Sequence, residues 1–386
     1  MSHDVNILHQ PGIVPAGVSQ SRTWSEWFDG HSRTFFIAPA VTLILIFAIF
    51  PTFYSIVFAL SRVRFTPDGL QFRFVWLQNF QKQFLGNEQI HFLGRINTMS
   101  VVGMILSAIV IAAVLWWLFR SYRNGATWVG MIGRFISAAT AIGLILLLSA
   151  TLLSGNQWGT LLTTLFYVIV GCMLQFVIGT GLAFLCSQPV AGKGFFRVIF
   201  FIPLMITPLG VGYAFRMLLD ITKGPFQPFW EWIGLRDWAW STDAWAARWF
   251  VVVGDSWQWI PFIFICMLAA LENVARDHVE AAQVDGASSI QIFREIIWPQ
   301  IVPVAATVIL IRMIEAFKIV DLPNIMTSGG PGIATESMSL HSFFLWRAND
   351  YGSSAAVAYL LLLVTVVVCA SFFNYVVLKQ LRKAHA

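Results

Sequence analysis

Charge is what this sequence has least of. Only 11% of its 386 residues are Asp, Glu, Lys or Arg, while 58% are hydrophobic. Soluble domains carry about 25% charged residues, so a chain with a largely water-facing surface is excluded. The 24 basic and 19 acidic side chains leave a small, scattered excess of positive charge. Without a basic stripe, no nucleic acid partner is expected. Cysteine is scarce as well. Cys172, Cys186, Cys266 and Cys369 all lie inside apolar runs and share no ligand spacing, which excludes a disulfide framework or zinc motif and leaves them as small core residues. The seven histidines form no HExxH or similar pattern, so spacing points to no metal and no cofactor. A phosphate loop of the GxxxxGK[ST] type is missing too. Gly192-Lys193-Gly194 lacks both the upstream glycine and the following Ser or Thr. No cluster of nucleophile or metal-ligand spacing supports a membrane-embedded enzyme.

Long apolar runs are what the chain does have. Mean hydropathy is +0.73, and a bilayer crossing needs about 20 mostly apolar residues. Eight runs qualify: about 35–60, 98–119, 135–154, 160–186, 195–219, 249–272, 300–321 and 354–378. The reading is an all-α integral membrane protein of about eight spans, with membrane lipid as its surroundings. The first run is too long for a signal peptide and has no small-x-small cleavage site. Three parts are expected: a polar tail over 1–34, spans one to three with a helix pair and a long loop over 35–154, and a core over 155–386. Lys and Arg flanking the spans, with acid-free segments at 120–134, 187–197 and the C-terminal tail, put both termini in the cytoplasm. The long loops 61–97, 220–248 and 322–353 then face outward. Their tryptophans (Trp230, Trp232, Trp238, Trp240, Trp245) serve as interfacial anchors or, in addition, as a docking surface.

One polar island, 273–299, stands between two apolar runs on the cytoplasmic side. Glu280-Ala281-Ala282 are good helix formers. Gly286 permits a sharp turn, because glycine alone takes positive φ without cost. Ser288 or Ser289 caps a second helix whose Ile290, Ile292, Phe293, Ile296 and Ile297 form an apolar side. Pro299 is expected to open the next span. The product is a helix–turn–helix across the membrane face, with small side chains that permit close approach of a partner.

This island resembles the signature loop of binding-protein-dependent ABC importer permeases. Glu280, Ala281, Ala282, Gly286, Ile296 and Pro299 fall at the family spacing; Trp298 stands where Leu is usual. Thr327-Ser328-Gly329-Gly330-Pro331 with Thr335-Glu336, and Phe200-Phe201-Ile202-Pro203 with Pro208, are similar to blocks of the carbohydrate, maltose-type branch. Phe317-Lys318 with Asp321, Asp350-Tyr351-Gly352 and Leu77-Gln78-Asn79-Phe80 add weaker likeness. The resemblance covers about 160–380 and implies a type I ABC importer permease fold in the cell inner membrane. It implies a transport subunit that is not itself an enzyme, with Glu280, Ala281, Ala282, Asp285 and Gly286 forming a coupling helix. The implied partners are an ATP-binding ATPase subunit dimer, a second homologous permease and an extracytoplasmic solute-binding protein. Family members of this branch often have six spans, so the pair at about 98–154 is an addition.

Ionisable groups at membrane depth are functional candidates. Arg312 and Glu315, three apart, are placed to pair on one helical face. They either neutralise each other structurally or line a polar cavity. By the resemblance, the sugar path uses Trp257, Gln258, Trp259, Arg312, Glu315, Ala316 and Ile319, with aromatic faces for a sugar ring and polar groups for its hydroxyls. A charged pair there also leaves room for a polyol or an anionic substrate. The alternative from another class is an ion-gradient-driven secondary transporter using Arg312, Glu315, Lys318 and Asp321 as a relay, which leaves the 273–299 island unexplained. Within the resembled family, the Gly329-Gly330-Pro331 block argues against an amino-acid or phosphate permease.

Overall fold

A computed structural model describes residues 36–377 except 68, 97–98, 124–127, 153–156, 189–191 and 235–238. The expected polar tail, Trp238 and the C-terminal basic residues lie outside the described residues. The chain divides into two units, 1–55 and 56–386. The helix α1 (Phe36–Ala59) holds the described part of the first, and every later element belongs to the second.

Six further helices are long and apolar enough to cross a membrane: α4 (Val101–Arg123), α5 (Trp128–Thr151), α6 (Thr160–Ser187), α10 (Ala244–Glu272), α12 (Ser289–Ala316) and α15 (Tyr351–Phe372). Shorter elements connect them: α2 (Gln78–Leu85), α3 (Gln89–Phe92), α7 (Lys193–Met205), α8 (Pro208–Leu218), α9 (Gln227–Trp232), α11 (Arg276–Val284), α13 (Asp321–Thr327) and α14 (Met338–Arg347). The core forms where α6, α10 and α12 meet. At one end Ala183 of α6, Ile263, Phe264 and Met267 of α10 and Ile301 and Ala305 of α12 pack together. At the other, Leu161, Leu165, Phe317, Met338 and Val357 close around the loop segments. The pair α4–α5 is mostly exposed to the surroundings of the bundle; α5 lies along α15, with Leu147 joining the core.

The expected run 195–219 is not one straight span. It is α7 and α8, bent by 98°. Pro208 explains the break: the residue before a proline avoids the helical region, and Thr207 is extended (ψ 146°) while its side chain accepts from the Gly210 N–H to cap α8. The expected span 300–321 also shifts. Its helix begins at Ser289, passes Pro299 through a wide π turn at Phe293–Ile297, and stops at Ala316. Pro299 therefore does not open the span, and Asp321 begins α13 rather than ending the preceding helix.

A second departure from an all-helical reading is a β-hairpin in the segment 61–97. β1 (Ser61–Thr66) pairs antiparallel with β2 (Gly69–Phe74), Ser61 opposite Phe74 and Thr66 opposite Gly69. Segment 322–353, expected as a long loop, is largely helical, being α13 and α14. Two of the weaker sequence blocks meet here. Buried Asn79 of α2 donates to the carbonyls of Ala59 (2.9 Å) and Ser61 (3.0 Å). Gly352 of α15 lies against the same spot, where a Cβ would stand 2.3 Å from the Ser61 carbonyl oxygen. Gly352→Ala is therefore expected to cost about 1–3 kcal/mol, read as a lowered unfolding temperature in detergent.

Asp350 caps α15 by accepting from the Ser353 N–H (3.1 Å) and hydroxyl (2.8 Å), and its carboxylate lies 3.4 Å from the Lys82 ammonium of α2. Burial pushes its pKa up, but these hydrogen bonds and the ammonium outweigh burial and hold it below the usual carboxylate value. A depressed native pKa contributes stability that is present above the unfolded-state value of about 4 and is lost as pH falls through the native value. Asp350→Asn retains a capping side chain without the titration. Its unfolding temperature should fall less than that of the wild type between neutral and strongly acidic pH.

Candidate functional site

The corner between α11 and α12 is built by capping chemistry. The α11 helix ends in a Schellman arrangement: Gly286 N–H donates to Gln283 O (3.1 Å) and Ala287 N–H to Ala282 O (2.9 Å). Gly286 has φ +80°, the conformation that its place in the sequence predicts. Ser288 then starts α12 in a reciprocal capping box with Gln291, whose Oε1 accepts from the Ser288 N–H at 2.8 Å. Two rigid helix ends thus meet at one glycine. Glu280, Ala281, Asp285 and Gly286 are exposed and Ala282 is half-buried. Between this corner and the bundle lies a recess of about 430 Å³ lined by Ser187, Glu272, Arg276, Glu280 and Gln283 among others.

The apolar side expected on the second helix divides. Ile292 is buried and Ile296 and Ile297 half-buried, but Ile290 is 79% exposed. Val284, just before the turn, is 88% exposed. These two residues flank Gly286 at the outer tip. The sequence signal for them was available: an aliphatic side chain inside a polar island and one at the wrong helical angle for the core.

The membrane-depth residues do not form one cluster. Arg312 does not pair with Glu315. Its guanidinium pairs with Asp255 and donates through Nε to Gln175 Oε1 at 2.6 Å. Gln175 Nε2 returns to Asp255 Oδ2 at 2.8 Å, and the guanidinium carbon lies 4.7 Å from the Trp259 ring centroid. Arg312, Asp255 and Gln175 are all buried, so this network joins α6, α10 and α12 in the interior. Glu315 instead binds Lys318 at 2.6 Å on an outer face. Arg312 and Lys318 both stand three residues from Glu315, but Arg312 turns inward because two acceptors, Gln175 and Asp255, are waiting there. Gln258 donates to the Ile206 carbonyl at the α7–α8 break (2.9 Å). Trp257 is 39% exposed and meets Phe215 edge-on. Ala316 and Ile319 are buried in apolar clusters. Sequence spacing missed Gln175 because its partners lie on other helices.

At the opposite end, the Gly-Gly-Pro block is a packed loop. Thr335, fully buried, shares a 2.6 Å hydrogen bond with Thr327 and reaches the Gly330 carbonyl. Tyr167 donates to Thr335 O (3.0 Å) and Arg248 to Ala334 O (2.7 Å). The Arg248 guanidinium lies 4.2 Å from the Trp158 centroid and 5.5 Å from that of Trp245. The tryptophans of 220–248 have separate roles: Trp230 and Trp240 are buried, the latter donating to Leu219 O, while Trp232 is 81% exposed.

Residues 175–383, more than half of the chain, match the family described as binding-protein-dependent transport system inner membrane component. Among similar proteins, the trehalose/maltose transport system permease protein MalF of Thermococcus litoralis is 29% identical over 203 residues, 53% of this chain and 69% of its own. The probable ABC transporter permease protein y4oQ of Sinorhizobium fredii is 30% identical over 220 residues, 56% and 70% of the two chains. The sn-glycerol-3-phosphate transport system permease protein UgpA of Agrobacterium fabrum is 25% identical, covering 59% and 78%. Among solved structures, a chain of a bacterial alginate ABC transporter in complex with an alginate pentasaccharide-bound periplasmic protein is 21% identical. Its TM-score is 0.51, over 70% of this chain and 93% of that one, a likeness of fold.

Proposed function

The chain belongs to the family of binding-protein-dependent transport system inner membrane components, and on that premise we propose that it is the permease of an ATP-driven carbohydrate or polyol importer. The observation that carries the coupling role is the doubly capped corner at Gly286, which presents Glu280, Ala281 and Asp285 at the surface. The corner seats in a cleft of an ATPase subunit, on the cytoplasmic side with both termini. A dimer of such ATPases supplies hydrolysis, a second homologous permease completes the path, and an extracytoplasmic solute-binding protein delivers substrate to the end carrying the β-hairpin and α14. Transport is alternating access: nucleotide-dependent closure binds one arrangement of the corners better than the other and so shifts the population of bundle states. The substrate class rests on the trehalose/maltose relative, which handles carbohydrate by name.

The ion-gradient alternative finds no support. Its relay would need free charges along one path, but Arg312 is engaged by Asp255, and Glu315 by Lys318. Among the sugar-path candidates, Trp257 and Glu315 keep open surface in this conformation, while Arg312, Gln258 and Ile319 are enclosed. The test is uptake of labelled maltodextrin, a polyol and glycerol 3-phosphate into proteoliposomes holding the purified assembly. Uptake that requires ATP and binding protein, and that persists with a protonophore, is the expected result. Uptake abolished by the protonophore and indifferent to ATP would overturn the reading.

A further inference from the structure

Two ligand-capable side chains three residues apart and a third from a distant part of the sequence converge at the Thr160 end of α6. That end is far from the Gly286 corner: α6 has 28 residues, roughly 42 Å at about 1.5 Å per residue. Glu88 precedes α3, His91 lies within it, and His341 lies on α14. One ligand atom from each falls within 4.8 Å of the others. The two imidazoles stack with centroids 5.3 Å apart.

Hydrogen-bond accounting shows what is lacking among them. The Nδ1 of His341 lies 2.7 Å from Glu336 Oε1. A carboxylate oxygen only accepts, so Nδ1 carries the proton, and in the neutral ring the lone pair is on Nε2. That Nε2 is buried on a residue 3% exposed and has no hydrogen-bond partner. It points at Glu88 Oε2, 3.8 Å away, which is another acceptor. His91 Nδ1 is likewise buried without a hydrogen-bond partner, 3.8 Å from Glu336 Oε2. Apart from the His341–Glu336 hydrogen bond, the carboxylates and imidazoles face one another across gaps of 3.8 Å, too long for hydrogen bonds.

We propose that Glu88, His91 and His341 hold a divalent transition-metal ion of the zinc type, with Glu336 orienting His341 from behind. Bonds of about 2.0–2.2 Å to nitrogen and oxygen in a tetrahedron bring neighbouring donors to about 3.3 Å, a small inward movement from the gaps seen here. A carboxylate on the far nitrogen of a ligating histidine is the usual arrangement that fixes its tautomer and raises its basicity. Imidazole ligands favour zinc, nickel or copper and disfavour magnesium and calcium. Glu88 and His91 are partly exposed, so the ion enters from solvent and keeps one position for water. Its effect is to staple α3 to α14, fastening the segment between β2 and α4 onto the helix that follows the Gly-Gly-Pro loop.

The test uses the full chain in detergent with its co-purifying subunits, carrying no polyhistidine tag and stripped with a chelator. Zinc is titrated and followed by metal content and unfolding temperature, and cobalt by its visible d–d absorption. Wild type should bind one more zinc per chain than the Glu88→Gln/His91→Gln double variant and should be thermally stabilised by it. Cobalt should give a tetrahedral spectrum without a thiolate band, and magnesium should not compete. Each single variant, and Glu336→Gln, should weaken zinc binding about 10–100-fold. The two ligands replaced, Glu88 and His91, are the partly exposed ones, so those variants fold without zinc. Equal zinc content and equal thermal response in the wild type and the double variant would overturn the proposal, leaving a group of carboxylates and imidazoles joined by hydrogen bonds and water.

Discussion

Gly286→Pro is expected to abolish ATP-driven uptake while the chain still inserts and folds. Gly286 sits at φ +80° and donates its N–H to Gln283. Proline fixes φ near −65° and has no N–H, so the α11 terminus and the start of α12 cannot keep their present angle. The damage stays local, because nothing lies within 4 Å of a Cβ built on Gly286 and α11 contributes no buried residue. Gly286→Ala grades the effect: only the left-handed conformation is penalised, by about 1–2 kcal/mol, and uptake should fall without disappearing. Glu280→Lys reverses an exposed charge without touching the backbone and should uncouple as well. Uptake and ATPase activity are measured in the same proteoliposomes. Full uptake by Gly286→Pro would show that the corner transmits nothing.

The second large effect is expected at the buried network. Asp255→Leu leaves the Arg312 guanidinium in the interior with Gln175 as its remaining side-chain acceptor. Removing one partner of a buried pair costs roughly 3–5 kcal/mol, whereas replacing both by apolar side chains of similar volume is often neutral. Arg312→Met together with Asp255→Leu should therefore unfold at a higher temperature than Asp255→Leu alone. The double variant also separates two roles. If the network only locks α6, α10 and α12 together, uptake returns with stability. If Arg312 meets substrate in another state of the cycle, stability returns and uptake does not. A single variant as stable as the double would show that the charges are not coupled.

The corner was legible because its chemistry is local. A glycine after Glu-Ala-Ala and a capping serine at 288 or 289 each dictate backbone geometry within one turn; the structure uses Gly286 and Ser288, and adds Gln291 as the reciprocal half of the cap. The spans were legible by length. What was not legible depends on the third dimension. Arg312 was expected to pair with Glu315 because a helix places residues three apart on one face. Its actual partners are 57 and 137 positions away, and no periodicity encodes them. The 98° bend was hidden because the apolar run continues through Thr207-Pro208, and hydropathy averages over a break that proline imposes. The hairpin was missed for a related reason: its alternation, Ser61-Arg62-Val63-Arg64 against Gln71-Phe72-Arg73-Phe74, is short and sits inside a segment read only as a connection. The group at Glu88, His91 and His341 was hidden because only Glu88 and His91 share a local spacing, and the third side chain, His341, comes from a distant part of the sequence.

The central claim is that the Gly286 corner is the point of contact with an ATPase. Val284, the exposed residue beside it, offers a direct probe. Cys172, Cys186 and Cys369 are buried and Cys266 is half-buried, so Val284→Cys adds the most accessible thiol among the described residues. A short bifunctional thiol crosslinker is applied to native membranes, and the product is identified by mass spectrometry with and without ATP. The account predicts a crosslink from residue 284 to an ATPase subunit, at a yield that changes with nucleotide and is lost in the Gly286→Pro background. A Val284→Cys chain that is labelled to completion yet crosslinks to no ATPase under any nucleotide condition would contradict it.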